Sequence, residues 1–244
     1  LTLVSGEYIA FVDSDDYVDS RMLSILHPYQ IRQYDIIQFG MVQEDEYLKT
    51  IGYINFPEEE VIGREEVLTH FFSEYRMPSL ACRIFKRNLF DSFTFPEGVC
   101  YEDHLTVYKW ASKCKKIGWI DKSYYNYLQR EGSICHSPDL RKLYDYFLAE
   151  YDRLAFVEST TLFNTKERGI LTARVVGHCL WIFNTFIRKS NHTLYKQEMK
   201  AMKLRLHDFL SLSKDVIGPQ SYKRLRKISY FWPLYYLTHC SKKK

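Results

Sequence analysis

The sequence is poor in glycine and proline, with 10 and 7 in 244 residues, which argues against a loop-rich or all-β design. It has six cysteines, Cys82, Cys100, Cys114, Cys135, Cys179 and Cys240, but no CxxC pair and no Cys/His spacing of a zinc site. A chain of this length needs no disulfide staples, so free thiols in a reducing cytosol are the simplest account. No apolar run reaches the roughly 20 residues of a membrane span. The nearest, residues 228–240, is shorter and is interrupted by Pro233. An initiator Met and a signal peptide are missing too. The opening LTLVSGEYIAFVDSDD runs almost at once into a strand, and the expectation is a piece of a longer protein.

One end lacks negative charge. No acidic residue follows Asp215, whereas Lys223, Arg224, Arg226, Lys227 and Lys242 to Lys244 do, interleaved with Tyr230, Phe231, Trp232, Tyr235 and Tyr236. A basic, aromatic segment over 222–244 suits an anionic membrane surface. A solvated terminus, or a terminal helix packed on the body of the protein, has the same composition. The net charge of +4 is mild, and nucleic acid is not an expected partner. What the chain has in abundance is apolar surface: 46% hydrophobic and 16% aromatic residues, including 20 Tyr and 16 Phe. That is ample for a packed core and excludes global disorder.

Periodicity predicts strands over residues 7–12, 35–42, 47–56 and 81–85, and two more over 116–120 and 124–128 on either side of an Asp121–Lys122 turn. Helices are predicted over 20–33, over 64–75, near Asn88, and from Glu102 or Asp103 to about Lys113. From residue 139 the pattern changes. Leu140, Leu143, Tyr144, Phe147, Leu148, Tyr151, Leu154 and Ala155 form a helical stripe. A second stripe runs from Ile170 through Val176, Leu180 and Phe183 to Ile187, and a third holds Met199, Met202, Leu206, Phe209 and Leu210. The expected organisation is an α/β part over 1–137 followed by a helical region over 138–244.

Two acidic sites stand out. In YIAFVDSDDYVD, Asp13, Asp15, Asp16 and Asp19 fall within seven residues, directly after an apolar strand. Ligands of open α/β sheets bind at the carboxyl ends of strands. In extended backbone Asp13 and Asp15 share a side, where two carboxylates repel unless a proton or a cation sits between them, and such oxygen ligands suit Mg²⁺ or Mn²⁺. Turn and cap chemistry is the competing account, and Asp19 reads as a cap alone. An EF-hand is excluded, because its Gly and Glu positions hold Val18 and Ser24. A phosphatase of the haloacid dehalogenase class also places DxD after a strand, but continues into a small pair where this chain has Asp-Tyr-Val. The second site is Glu102–Asp103 in YEDH, at a predicted helix start. There a carboxylate serves either the helix dipole or as a general base. His104 reads as a packing or surface residue.

Taken in order, GEYIAFVDSDDYVD, ACRIFKRNLF and FTFPEGVCYEDHLTVYKWASKCKKIGWIDKSYYNYLQREGSI resemble the family 2 glycosyltransferases of bacterial capsule and exopolysaccharide synthesis, over about residues 5–135. The resemblance implies a partial GT-A (Rossmann-like) mixed sheet followed by a C-terminal helical region, and inverting transfer from a nucleotide-sugar, a UDP-sugar above all. It implies Asp15 as ligand of Mn²⁺ or Mg²⁺, Asp13 facing the donor's ribose or sugar, and Asp16 beside the substrate. Asp103 would be the catalytic base, Glu102 would orient a glycan or lipid-linked acceptor, and Arg130 would meet the donor diphosphate. The implied location is cytoplasmic, peripheral at the inner face of the cell membrane. Family members begin with a nucleotide-binding βαβ half that has no counterpart in these residues, so an inactive binding or scaffold remnant is the alternative. The processive family's QxxRW motif is also missing, so one sugar is expected per transfer event.

Overall fold

A computed structural model describes residues 1–27, 33–56, 60–63, 66–67, 71, 79–130, 140–189 and 194–240. They fall into two compact units, Leu1–Phe95 with Thr106–Pro138, and Pro96–Leu105 with Asp139–Lys244.

The first unit is built on a mixed sheet of β1 (Tyr8–Ala10), β2 (Tyr17–Val18), β3 (Ile36–Glu44), β4 (Thr50–Ile54), β5 (Glu60–Ile62), β6 (Arg83–Lys86) and β7 (Lys116–Leu128). Its axis is β3, whose IIQFGM run is buried on both faces, as a central strand requires. Beside it β7 runs parallel, starting with Ile36 opposite Ile117 and Phe39 opposite Ile120. The register then jumps, so that Gly40 faces Ser123 and Met41 faces Tyr125. The sheet changes neighbours at this point. Before it, β3 is flanked by β6, with β1 beyond, and β7 pairs with β5. After it, β4 flanks β3 and β2 flanks β7.

The predicted Asp121–Lys122 turn is therefore corrected. Both residues lie exposed in a continuous strand, as the extra residues of a bulge. A two-residue turn would reverse the chain, whereas both halves of β7 run parallel to β3. Gly40 makes the jump feasible. A Cβ there would stand 2.6 Å from the Ile54 carbonyl oxygen, 2.7 Å from Asn55 Oδ1 and 2.9 Å from Ser123 Oγ. Asp35 pins the start of this frame. Its Oδ2 accepts the backbone N–H groups of Lys115 (2.7 Å) and Lys116 (3.1 Å), and its carbonyl accepts that of Lys86 (2.7 Å).

Other predicted strands appear shortened. Residues 47–56 reduce to β4, after a turn in which Asp45 Oδ1 accepts N–H groups from Tyr47 and Lys49. The helix expected over 20–33 begins as a 3₁₀ turn at Met22–Ile25 and continues helical through Leu26 and His27, and residues 28–32 lie outside the described residues. Most of the helix expected over 64–75 lies outside them as well. Helix α1 (Glu102–Ala111) is where it was expected.

The second unit packs α2 (Leu140–Ser159), α3 (Thr165–Lys189), α4 (Lys196–Asp208), α5 (Lys214–Ile217), α6 (Pro219–Tyr230) and α7 (Trp232–Cys240). Its core includes Phe147, Leu154, Cys179, Phe183, Phe186, Met202, Leu206 and Ile228. Sequence-local chemistry sets the α2–α3 corner. Asn164 and Glu167 exchange side-chain to backbone hydrogen bonds of 2.9 Å each, a capping box for α3. Arg168 donates to the carbonyls of Val157, Glu158 and Thr160, which are left open by the end of α2. By length and composition α3 is long and apolar enough to cross a membrane. Ten of its residues, among them Val176, Leu180 and Ile187, are buried inside its own unit. The 228–240 run is divided between α6 and α7 at Phe231, and Pro233 stands in the first turn of α7, where a missing N–H costs nothing.

Gly40→Ala is expected to lower stability by about 1–3 kcal/mol. Gly52→Ala, whose methyl would meet only the flexible Gln43 side chain, is expected to cost less. Urea midpoints of the two variants, compared with the parent at unchanged m-value, measure the difference.

Candidate functional site

The acidic cluster lies where the chain leaves β1. The Phe11 ring anchors this exit, with centroids 5.6 to 5.8 Å from those of Phe85, Phe90 and Phe95. The next four residues, Val12 to Asp15, are exposed. Their backbone is a turn closed by the Asp16 N–H donating to the Asp13 carbonyl at 3.1 Å, so the side alternation of an extended strand does not govern Asp13 and Asp15.

Asp16 holds the turn. Its Oδ2 accepts from the Tyr125 hydroxyl at 2.7 Å and its Oδ1 from the Leu128 N–H at 2.9 Å. The Tyr125 hydroxyl in turn accepts the Asp13 N–H at 3.1 Å. Burial, followed by the neighbouring carboxylates, pushes the Tyr125 hydroxyl well above its usual range, so it remains a donor at working pH. Asp19 is spent as well. It accepts from the Arg21 backbone and, through two oxygens, from the Arg21 guanidinium, whose hydrogen bonds hold its carboxyl down at about 2. Asp13 and Asp15 remain on the outside. Among the described residues nothing hydrogen-bonds to the Asp15 carboxylate. Arg130, just past the end of β7, brings its Nη2 to 3.5 Å from the Asp15 carbonyl oxygen. The structure thus gathers Asp13, Asp15, Asp16 and Arg130.

Among the described residues no group of three or more His, Cys, Asp or Glu is placed to hold a metal. A dedicated protein cage is not what Mg²⁺ or Mn²⁺ needs. Such ions keep several waters and take one or two carboxylates together with substrate phosphates. The exposed Asp13–Asp15 pair fits that donor set.

The second acidic site opens α1. Tyr101, at φ 63°, turns the chain into the helix. Glu102 is exposed and Asp103 half-buried, both beside the open N–H groups of the first turn. Asp103 Oδ1 accepts the His104 N–H at 2.7 Å.

Behind this corner lies a polar network that sequence reasoning missed. The Tyr101 ring stacks on Tyr146 at 4.8 Å, and the His104 ring meets the same Tyr146 at 4.9 Å. Arg153 Nη2 is 3.4 Å from His104 Nδ1. Arg153 also pairs with Glu150 at 3.3 Å, both side chains fully buried, and Glu150 reaches His178 at 3.5 Å. Burial, then the Arg153 cation, hold the His104 imidazole down at about 3. Burial pushes Glu150 up, but Arg153 and His178 outweigh it and keep its carboxyl low. A signal was present in the sequence. Glu150 falls on the α2 stripe between Phe147 and Leu154, where an unpaired charge would not be tolerated.

Comparison with known proteins follows from this geometry. No protein-family profile matches the chain. It is 28% identical over 145 residues to glycosyltransferase GlyG of Streptococcus pneumoniae serotype 4, covering 55% of the chain and 48% of that protein. It is 26% identical over 145 residues to glycosyltransferase GlyA of the same organism, covering 55% of the chain and 20% of that protein. These matches span about half of GlyG and a fifth of GlyA. In structure it resembles S. aureus TarS 1–349 in complex with UDP-GlcNAc, at a TM-score of 0.55 and 18% identity over 95% of this chain and 70% of that one. TarS 1–349 in a second crystal structure gives 0.52 and 16%, over 95% and 68%. The expected α/β mixed sheet with C-terminal helices is thus the observed fold, and it is shared with a glycosyltransferase.

The neutral His104 makes stability depend on pH with a defined sign. Its folded value of about 3 lies below the ordinary value near 6.5, so the unfolded chain takes the proton first. Stability is complete above about pH 6.5 and falls as pH drops towards 3, by up to ~1.4 kcal/mol per unit. His104→Gln is expected to flatten the profile between pH 6.5 and 4.5, as read from urea midpoints at stepped pH.

Proposed function

We propose that the chain carries the metal-side and base-side carboxylates of an inverting glycosyltransferase of the family 2, GT-A type, acting on a nucleotide-sugar in surface polysaccharide or glycoconjugate synthesis. The observation that carries this reading is the Asp13–Asp15 turn. It presents two exposed carboxylates, with a guanidinium against it, in a chain similar to GlyG and GlyA. The UDP-GlcNAc complex of TarS supports a UDP-sugar as the donor class.

On this reading Asp15 is the direct ligand of Mn²⁺ or Mg²⁺, and Asp13 faces the donor's ribose or sugar. The bound ion supplies positive charge against the diphosphate. Arg130 adds a charge-assisted contact to the same group. Asp16, with both oxygens engaged by Tyr125 and Leu128, serves the substrate by fixing the turn that presents the other two. Glu102 orients the acceptor, a glycan or a lipid-linked sugar, and Asp103 removes the proton from its hydroxyl. The acceptor oxygen then bonds to the anomeric carbon as the bond from that carbon to the diphosphate oxygen breaks, inverting the centre in a single displacement.

The test uses the full-length protein that contains this chain, with UDP release from UDP-sugars as the readout. Release is expected to require Mn²⁺ or Mg²⁺. Asp103→Asn should lower turnover by roughly 10²–10⁴-fold, the range of a lost general base, and Asp15→Ala should abolish the response to metal. Arg130→Ala is expected to raise the donor KM more than it lowers kcat. Unchanged transfer in Asp15→Ala and Asp103→Asn would sink the assignment.

A further inference from the structure

The second unit carries a face that the proposed chemistry does not use. Between Phe209 and Cys240 five cations, Lys214, Lys223, Arg224, Arg226 and Lys227, stand against a single acid, Asp215. In α6 the residues Tyr222, Leu225 and Ile228 follow helical spacing, and Leu225 and Ile228 are fully buried in the core. That leaves Lys223, Arg224, Arg226 and Lys227 exposed on the remainder of the helix. At the corner between α6 and α7 three large apolar side chains also face solvent: Tyr230 is 61% exposed, Phe231 55% and Leu234 62%. A groove of about 610 Å³ is lined both by apolar residues, Tyr222, Phe231 and Leu234, and by cations, Lys223, Arg226 and Lys227.

The geometry points to this α6–α7 corner as a docking face for an anionic phospholipid bilayer. Two features decide the occupant. Solvent-exposed aromatic and aliphatic side chains set beside a row of cations match an interface in which apolar groups enter the acyl boundary and cations stay among acidic headgroups. The near absence of negative charge gives the face one sign, so its attraction to an acidic leaflet is not cancelled locally. A second copy of the chain would bring the same cations against themselves. The apolar contact is too small to dominate alone, so both contributions are required together. This inference is independent of the glycosyltransferase reading and can stand or fall without it.

The experiment is vesicle co-sedimentation of the chain with phosphatidylglycerol/phosphatidylcholine vesicles, with pure phosphatidylcholine as the neutral control. Binding to the anionic vesicles is expected to be at least tenfold tighter than to neutral ones, and to weaken severalfold between about 0.05 and 0.5 M salt as charges are screened. The doubly substituted R226E/K227E chain should lose at least tenfold. The F231S/L234S chain should also bind more weakly, while keeping the salt dependence. All four sites are exposed, and urea midpoints equal to the parent confirm folding. Millimolar inorganic phosphate should not displace the chain. Displacement would reassign the face to a free phosphate ligand and overturn the proposal. Equal binding to neutral and anionic vesicles would overturn it too. So would no binding, or a concentration-dependent dimer abolished by F231S/L234S. Should a variant fail to fold, the lipid and salt comparisons on the parent chain decide alone.

Discussion

The parallel pairing of β7 with β3, maintained across the register jump at Gly40, is the constraint from which the first unit follows. A strand that stays bonded to one neighbour while gaining residues must bulge, and the bulge re-aims everything beyond it. Beyond the jump β7 delivers the Tyr125 hydroxyl, the Leu128 N–H and Arg130 to one place. The turn after β1 is shaped by those three groups. Without the jump, residues of β7 would present opposite sides to that turn, since each one-residue slip exchanges the faces of a strand. The glycine at position 40 is thus linked to the turn carrying residues 13 and 15 through strand pairing and the side chains of Tyr125 and Arg130.

The second unit solves a different problem with the same economy. Glu150 and Arg153 are both fully buried, and each would be costly alone. Paired at 3.3 Å, and reaching His178 and His104, they form a network whose removal in part is worse than its presence. That network stiffens the aromatic wall of Tyr101, Tyr146 and His104, the last two packed edge-on. Separately from its ring, the backbone N–H of His104 donates to the Asp103 carboxylate at 2.7 Å. Burial and the Arg153 cation keep the imidazole neutral.

The sequence carried the helices well, because apolar stripes at helical spacing report burial directly: α2, α3 and α4 all fall on the predicted stripes. It carried α1 through its acidic first turn. It misread 116–128, where two exposed polar residues between apolar runs have the composition of a turn and the geometry of a bulge. Only the pairing of both flanks with β3 separates the two, and pairing is not local information. The acidic cluster was legible as a candidate, but its division into structural and exposed members was not, because Tyr125 and Leu128 lie more than a hundred residues away. The Glu150–Arg153 pair was legible in principle as charge on a buried stripe. Its partners His104 and His178 come from two other helices and had no local mark.

That division of the acidic cluster bears on the proposed chemistry. Four carboxylates in one short segment repel, and the fold removes two of them from the problem. Asp16 is engaged by two neutral donors within the protein and Asp19 is paired with Arg21. Asp13 and Asp15 are both exposed, and Arg130 bonds the Asp15 carbonyl and makes no ion pair among the described residues. On the proposed reading, a divalent cation held by two carboxylates on one short turn would retain open positions for oxygen ligands. A guanidinium beside it adds a second positive group that favours a bidentate anion. A diphosphate satisfies both at once. On the proposed reading, a lone monophosphate or a carboxylate substrate would leave one of the two positive groups underused, so this charge pattern suits a diphosphate.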